Sequence, residues 1–408
     1  MSTALPSVAL IVVAYGHAAH LPATLAALQR LHYPAALRQI VVVDNGDGTS
    51  AEVARSFAEV QVLQPGRNLG FAGGCNLGAT RSSAEVIALV NPDLEPAPNF
   101  LEALVAPLAD PHVGIVGAHL RYPDGRVQHA GGWLKAALLL AQHHGYGQPA
   151  PEHEIAREVV FVTGAALALR RATWQRLGGL DESFWPAYYE DVDLCLRAHA
   201  HGLRVLYEPR ARAIHHEAVV VGRETLAYHA WYHRNRLRLL FKHRSDAWLL
   251  ATWLPAELAY LRGVADDQEL AGLLDAYRFW QQHFLLGTAD GEVQPPPATD
   301  VAGELEWTVR QVAIKQTLVP QPFRSRWPLV ARLRTWLTRL ATETYLRPLI
   351  QQQNDFNAAV VELARALERQ RRAGDAALLC QSVLLAKLLR AASADRQAAS
   401  ATARDARP

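Results

Sequence analysis

Read from its N-terminus, the chain alternates short apolar runs with segments of helical period. Val8 to Ala14 is a continuous apolar run, the pattern of a strand buried on both faces. Leu21, Leu25, Leu28 and Leu31 then recur at helical spacing. Ile40 to Val43 predicts a second strand, stopped by the turn-forming run Asp44-Asn45-Gly46-Asp47-Gly48. A helix over Ser50 to Phe57, a strand over Val60 to Leu63, a helix over Gly73 to Arg81 and a strand over Val86 to Val90 complete the pattern. This order predicts an α/β fold with a doubly wound sheet. Ligands of such sheets sit beyond the carboxyl ends of the strands. That edge carries Ala14-Tyr15, Asp44-Asn45 and Asn91-Pro92-Asp93.

From about residue 112 the period changes. Pro123-Asp124-Gly125-Arg126 predicts a hairpin turn, and Val159 to Leu169 is strand-like around a Gly164-Ala165 break. Glu190 to His201 predicts a helix closed by Gly202, followed by short strands at Val205 to Tyr207 and Ala213 to His215. A mixed sheet is expected to finish a first domain, residues 1–245. Residues 246–392 read as a helical region containing a Pro-rich linker, Gln294 to Thr299. Helical spacing recurs at Phe356, Val360, Leu363 and Leu367, and among the Leu residues between 378 and 389. Residues 393–408 lack an apolar period and read as a disordered tail.

Charge narrows the partners. With 41 Lys+Arg against 39 Asp+Glu, the net charge of +2 excludes a basic nucleic-acid coat, so no nucleic-acid partner is expected. Cys75, Cys195 and Cys380 lie far apart, which argues against a zinc cluster or disulfide framework and fits a reducing cytosol. The N-terminus shows no basic leader region, and no apolar run reaches about 18 residues. The nearest, Ala247 to Leu261, is broken by Pro255 and Glu257. A cytoplasmic protein is expected, with peripheral contact at the inner face of the plasma membrane as a further option.

Candidate chemistry sits at the sheet edge. No G-x-G-x-x-G follows the first strand and no G-x-x-x-x-G-K-[ST] occurs, which removes the best markers of a dinucleotide dehydrogenase and a P-loop enzyme. Asp44 could accept from a base or ribose, or simply satisfy its own turn. The string from Arg67 to Gly78 holds four glycines that would let backbone approach a ligand. Asn68 and Asn76 offer amides and Arg67 a charge for phosphate. The alternative is a glycine-rich helix entry with Asn68 capping the turn. Pro92 stiffens the turn that holds Asp93, where a hard cation bridging two phosphates would want a carboxylate; an ordinary strand-ending turn is the other reading. In Glu190-Asp191-Val192-Asp193, Asp193 and Arg197 are i,i+4 partners. Asp191 shares the apolar face of Leu194, Cys195 and Ala198, so it should point inward, either as a base near a sugar hydroxyl or as a capping carboxylate. His215 and His216 point to opposite strand faces, so at most one reaches a given site.

In this order the motifs resemble an inverting family 2 glycosyltransferase of GT-A fold, over roughly residues 7 to 245. They are Val13-Ala14-Tyr15, Val43-Asp44-Asn45, the string from Asn68 to Gly78, Asn91-Pro92-Asp93, Gly164-Ala165, Gly178 to Phe184, Glu190 to Leu194, His215 and Arg234-Asn235. The set is most similar to the rhamnosyltransferase-like branch that builds bacterial surface polysaccharides. The resemblance implies a UDP- or dTDP-sugar donor, a divalent metal (Mg or Mn), and a glycan or lipid-linked acceptor. It gives Asp191 the role of general base and Asp93 and His215, with His216 as alternate, the metal. Ala14, Tyr15, Asp44, Arg67, Asn68, Asn76, Asn91 and Pro92 would lie on the donor side. Gly164, Ala165, Trp185 and Glu190 would lie on the acceptor side. Two departures stand out: Asn91 replaces the first acid of D-x-D, and the Ser often found shortly after the His is missing.

Two other readings carry less. A sugar nucleotidyltransferase would want a Gly-rich, Lys- or Arg-bearing loop after the first strand, which Gly16-His17-Ala18-Ala19 does not supply. A non-catalytic sugar-binding protein is opposed by the retained Asp93, Asp191 and His215. Phe323 to Ile350, with six Arg and one Glu, suits an anionic membrane surface or, as the favoured reading, docking on the catalytic domain or on a second subunit of a homodimer.

Overall fold

The computed structural model describes residues 5–149, 155–216, 225–286 and 369–388, with the single positions 351, 358 and 390. The chain divides into two compact units, one of residues 1–291 with 379–408 and one of residues 292–378. The basic stretch 323–350, the Phe356 to Leu367 spacing and the tail 393–408 lie outside the described residues.

Four parallel strands form one half of the first unit's sheet: β1 (Val8–Ala14), β2 (Arg38–Asp44), β3 (Val60–Leu63) and β4 (Val86–Val90). Their apolar runs are buried because α1 (Leu21–Gln29), α2 (Thr49–Arg55) and α3 (Gly70–Thr80) cover the faces. After β5 (Leu94–Pro96) and α4 (Phe100–Val105), the sheet continues through β6 (Val113–Arg121), the short β7 (Val127–His129) and a separate hairpin, β8 (Gly132–Lys135) with β9 (Leu140–His143). Then come β10 (Arg157–Glu158), β11 (Ala166–Arg170), α5 (Arg171–Leu177), α6 (Glu190–Ala200) and β12 (Arg204–His215). The strand order is β10-β12-β6-β11-β4-β1-β2-β3, with β11 antiparallel to both neighbours. The expected doubly wound mixed sheet is thus what the chain forms.

Three details differ from the sequence expectation. The two short strands expected at Val205 to Tyr207 and Ala213 to His215 are one strand, β12, whose register against β6 shifts between Glu208 and Arg212. Pro209 has no N–H to give, and the Glu208 carboxylate takes the Arg210 N–H at 3.0 Å, so the chain bulges there and resumes. In the 159–169 stretch only residues 166–169, within β11, form regular strand; residues 159–165 run irregularly, with Phe161 bridged to Gly132. The third concerns residue 245. The chain runs on through α7 (Leu226–His243), α8 (Asp246–Trp248), a π-helical turn over Leu249–Trp253, α9 (Leu254–Gly263) and α10 (Asp267–Leu286), all within the first unit.

Glu257, which breaks the apolar run in sequence, is the reason those helices hold together. It is fully buried and pairs with the equally buried Arg236 of α7. The two Glu257 oxygens also accept from Trp253 Nε1 at 3.0 Å and from the Tyr277 hydroxyl. A buried carboxylate survives only when its lone pairs are filled this way. Segment 379–390 joins the same unit: Gln281 donates to Ser382 at 2.8 Å, and Lys387 pairs with Asp246.

Candidate active site

A cavity of about 430 Å³ opens where β1 and β4 end, between them and the start of α6. Tyr15, Asn68, Asn91, Pro92, Asp93, Gly164, Ala165, Trp185, Glu190, Asp191 and His215 all line it. Of the residues singled out in sequence, Ala14, Asp44, Arg67, Asn76 and His216 are not on its wall.

Asp44 has other work. Its two oxygens accept from Gly46 N at 2.9 Å and Ala51 N at 2.7 Å, so it closes its own turn and holds the first turn of α2. Asn76 is likewise consumed, donating to Leu180 O and Glu182 Oε1 and accepting from Leu180 N, which ties α3 to the 180–182 loop. His216 faces away and bonds Glu95 at 2.8 Å.

The glycines of the 67–78 string serve packing. A Cβ at Gly78 would lie 2.5 Å from Ile11 Cγ2, and one at Gly74 would lie 2.7 Å from Val13 Cγ1, so α3 can rest on β1 only without side chains there. Of the four, only Gly70 lies on the cavity wall. Gly70 is the different one. Its φ is +72°, and a Cβ there would strike Trp185 and Pro186. Asn45 fixes this corner by donating to Gly70 O at 2.8 Å and accepting from Leu69 N at 3.0 Å, and Asn68 accepts from Gly70 N at 2.8 Å.

On the strand side, Asp93 and His215 meet with Oδ1 to Nε2 at 3.1 Å, both nearly fully buried. His215 Nδ1 lies 2.6 Å from Gln128 Oε1, an acceptor, so Nδ1 carries the proton. The Nε2 lone pair then faces a carboxylate, an arrangement that asks for a proton or a metal ion between them. This donor pair fits a divalent cation, and Asp93 with His215 would hold it. Among the described residues no group of three or more His, Cys, Asp or Glu is arranged around a metal, so further ligands would come from bound oxygens. Asn91 Nδ2, where D-x-D would have its first acid, lies 3.3 Å from the same His215 nitrogen. Burial pulls the Asp93 carboxyl up, but the hydrogen bond and charge of His215 outweigh it and leave it below the ordinary value.

On the helix side the three acids separate. Asp193 is fully buried and bonds Arg197 at 2.8 Å, with Lys242 and His243 also at 2.8 Å, a structural hub. Asp191 faces the cavity and accepts from Gly164 N at 2.8 Å and Val192 N at 2.7 Å. Burial leaves its carboxyl above the ordinary value, against the downward pull of these two N–H groups. Glu190 is buried and its Oε2 has no partner; burial and then the neighbouring Asp191 push it well above the carboxylate range.

Gly164-Ala165 joins the two sides. Asn91 N–H donates to Ala165 O at 2.9 Å, one residue from the Gly164 N–H that holds Asp191. A Cβ at Gly164 would crowd Phe71 at 3.0 Å.

The lining residues not singled out in sequence include Ala141, His143, Phe161, Thr163, His17, Tyr228, Trp231 and Tyr232. His17 accepts from Tyr15 N at its Nδ1, 3.2 Å away. Tyr228, Trp231 and Tyr232 come from α7, at the i, i+3, i+4 spacing that a helical reading could have caught. The Arg234-Asn235 motif follows directly. Asn235 Nδ2 donates to Phe184 O at 3.0 Å and Ala187 O at 2.8 Å, pinning the loop before α6 against α7.

The chain is 34% identical over 200 residues to the uncharacterized protein y4gI of Sinorhizobium fredii, a match covering 46% of this chain and 22% of that protein. It is 28% identical over 275 residues to an N-acetylglucosaminyl-diphospho-decaprenol L-rhamnosyltransferase of Mycobacterium tuberculosis, covering 61% and 87%. Among solved structures, a mannosyltransferase of Pyrobaculum calidifontis in complex with GDP-Man and Mn2+ aligns at TM-score 0.43 and 20% identity, covering 88% of each chain. The family model described as glycosyltransferase like family 2 matches residues 6–241, more than half of the chain. This protein therefore belongs to glycosyltransferase family 2.

Proposed function

We propose that the chain moves a glycosyl group from a UDP- or dTDP-sugar to a hydroxyl of a glycan or lipid-linked acceptor, by one displacement that inverts the anomeric centre. The observation that carries this reading is a single cavity with the Asp93–His215 pair on one side and the Asp191 carboxylate on another. No Lys or Arg is among the described residues lining it. A diphosphate brought there needs counter-charge, which a divalent cation supplies together with stabilisation of the leaving group. Asp93 and His215 would hold that cation. Tyr15, 49% exposed at the rim, and Asn68 face the nucleoside. Asp191, steadied by two backbone N–H groups, takes the proton of the attacking hydroxyl. The rhamnosyltransferase named among its relatives makes a rhamnosyl donor and a lipid-linked, cell-envelope acceptor the first to test.

Nucleoside diphosphate release from a donor panel, in the parent and in Asp191→Asn, tests this. The variant should melt like the parent, bind UDP or dTDP with Mn, and lose transfer by about 10²- to 10⁴-fold. Full activity in that variant removes Asp191 as base. Thermal stabilisation by nucleotide that ignores both Mn and His215→Ala removes the metal assignment.

A further inference from the structure

The backbone brings Asp93 and His215 together but does not decide what they can hold. His215 pairs with Leu94 across β12 and β5, and His216 N donates to Asp93 O at 3.1 Å. Which ring nitrogen of His215 carries the proton is left to its side-chain neighbours. Two forms of the neutral ring compete. With the proton on Nε2, the ring donates across the 3.1 Å gap to Asp93 Oδ1, a charge-assisted hydrogen bond that occupies both groups. With the proton on Nδ1, the Nε2 lone pair and the carboxylate both remain acceptors, and a cation finds two ligands ready.

Gln128 tips that balance. It is the middle residue of β7, 3% exposed, and does not line the cavity. Its Oε1 lies 2.6 Å from His215 Nδ1 and can only accept. On the far side of the ring, Asn91 Nδ2 lies 3.3 Å from Nε2 and can only donate. Both amides therefore ask for the proton on Nδ1. Gln128 starts from a fixed backbone: β7 pairs with β6 along one edge. Along the other, Val127 N donates to Gln148 O at 2.9 Å and Gly147 N donates to Val127 O at 2.8 Å. A side chain on such a strand holds its partner more tightly than one on a loop.

We propose that Gln128 is a positioning residue for the cation: it keeps His215 in the Nδ1–H form and so stops the Asp93–His215 pair from closing on itself. The turn from Pro123 to Arg126, which joins β6 to β7, thereby serves the site from behind the wall. The role rests on the reading of Asp93 and His215 as cation ligands. The position of the proton does not.

The test has two arms. Two-bond proton–nitrogen NMR of the histidine-labelled, metal-free protein at about pH 8, where an ordinary imidazole is neutral, reads the protonated nitrogen. His215 is assigned from the signal lost in His215→Ala. The parent should show Nδ1–H and Gln128→Leu should show Nε2–H. Gln128→Glu keeps an acceptor at the same reach and should restore Nδ1–H. In the second arm Mn is titrated at one fixed excess of UDP or dTDP and melting temperature is followed. Gln128→Leu should need about 10- to 100-fold more Mn for half of the stabilisation, and Gln128→Glu no more than about threefold. If Gln128→Leu does not fold, Gln128→Met removes the acceptor at nearly the same volume. A parent in the Nε2–H form overturns the inference, as does a Gln128→Leu that keeps either Nδ1–H or the parent's Mn requirement. Nucleotide stabilisation of the parent that ignores Mn overturns the cation reading and this role with it. A Mn response shared equally by the parent and Gln128→Leu overturns this role alone.

Discussion

Along β1, every residue from Val8 to Ala14 is buried in apolar surroundings. Along α7, the buried residues include His233, Arg234, Asn235 and Arg236. The first region is held by many interchangeable contacts, so each side chain contributes a modest share. The second is held by few contacts that depend on one another. Arg236 donates to Leu138 O at 2.9 Å as well as to Glu257, and Glu257 in turn serves Trp253 and Tyr277. Tyr189 packs on Tyr232 of α7 and donates to Leu139 O at 3.0 Å while it lines the cavity. The difference teaches that one wall of the site rests on a redundant core and the other on a buried ion pair without a substitute.

The largest effect that would test this contrast comes from Glu257→Ala. It strands the Arg236 guanidinium in the interior and should cost about 3–5 kcal/mol in urea unfolding. A loss below about 1 kcal/mol would put the two regions on the same footing. Next is Gly78→Ala, on the redundant side. Its new Cβ meets Ile11, and the overpacking should cost about 1–3 kcal/mol. Ile11→Ala in the same chain should relieve that cost, and a double-mutant cycle without coupling would show that the helix shifts instead. The smallest effect concerns the bond between α7 and the loop before α6. Burial raises Asp181, but Lys242 and Ser183 outweigh it and bring its carboxyl down to about 2 from 3.8. The folded value lies below the unfolded one, so the stabilisation is present above about pH 4 and is lost as pH falls through 2. Asp181→Asn should remove it, about 0.5–1 kcal/mol at pH 7, and the stability that the parent loses between about pH 4 and pH 2 should shrink accordingly.

The same contrast explains what could be read in advance. β4 has the bounds that its apolar run predicts, because a strand buried on both faces leaves its signature in adjacent residues. The Asp193–Arg197 pair was readable for a similar reason, since both partners lie one helical turn apart. Glu257 was not, because its partner sits on another helix 21 residues away and the local sequence shows only a polar interruption. The glycines at 74 and 78 carry no mark that tells a nearby ligand from a nearby strand. Asp44 carried two readings in sequence, turn carboxylate and ligand residue, since both roles want a carboxylate at a strand end, and its oxygens are seen closing the turn. The wall contributed by α7 was visible as spacing but had no chemistry to distinguish it from core packing.

One consequence follows from the Gly164-Ala165 dipeptide. The carbonyl of Ala165 fixes Asn91, two residues before Asp93, and the N–H of Gly164 fixes Asp191. Two opposing ends of the pocket are therefore gauged from the 163–164 and 165–166 peptide units, with a single peptide between them. Covalent geometry, which no breathing of the helices can stretch, sets the span available to the rings between them. A one-residue insertion at this point would therefore shift Asp191 relative to Asn91 and resize that span.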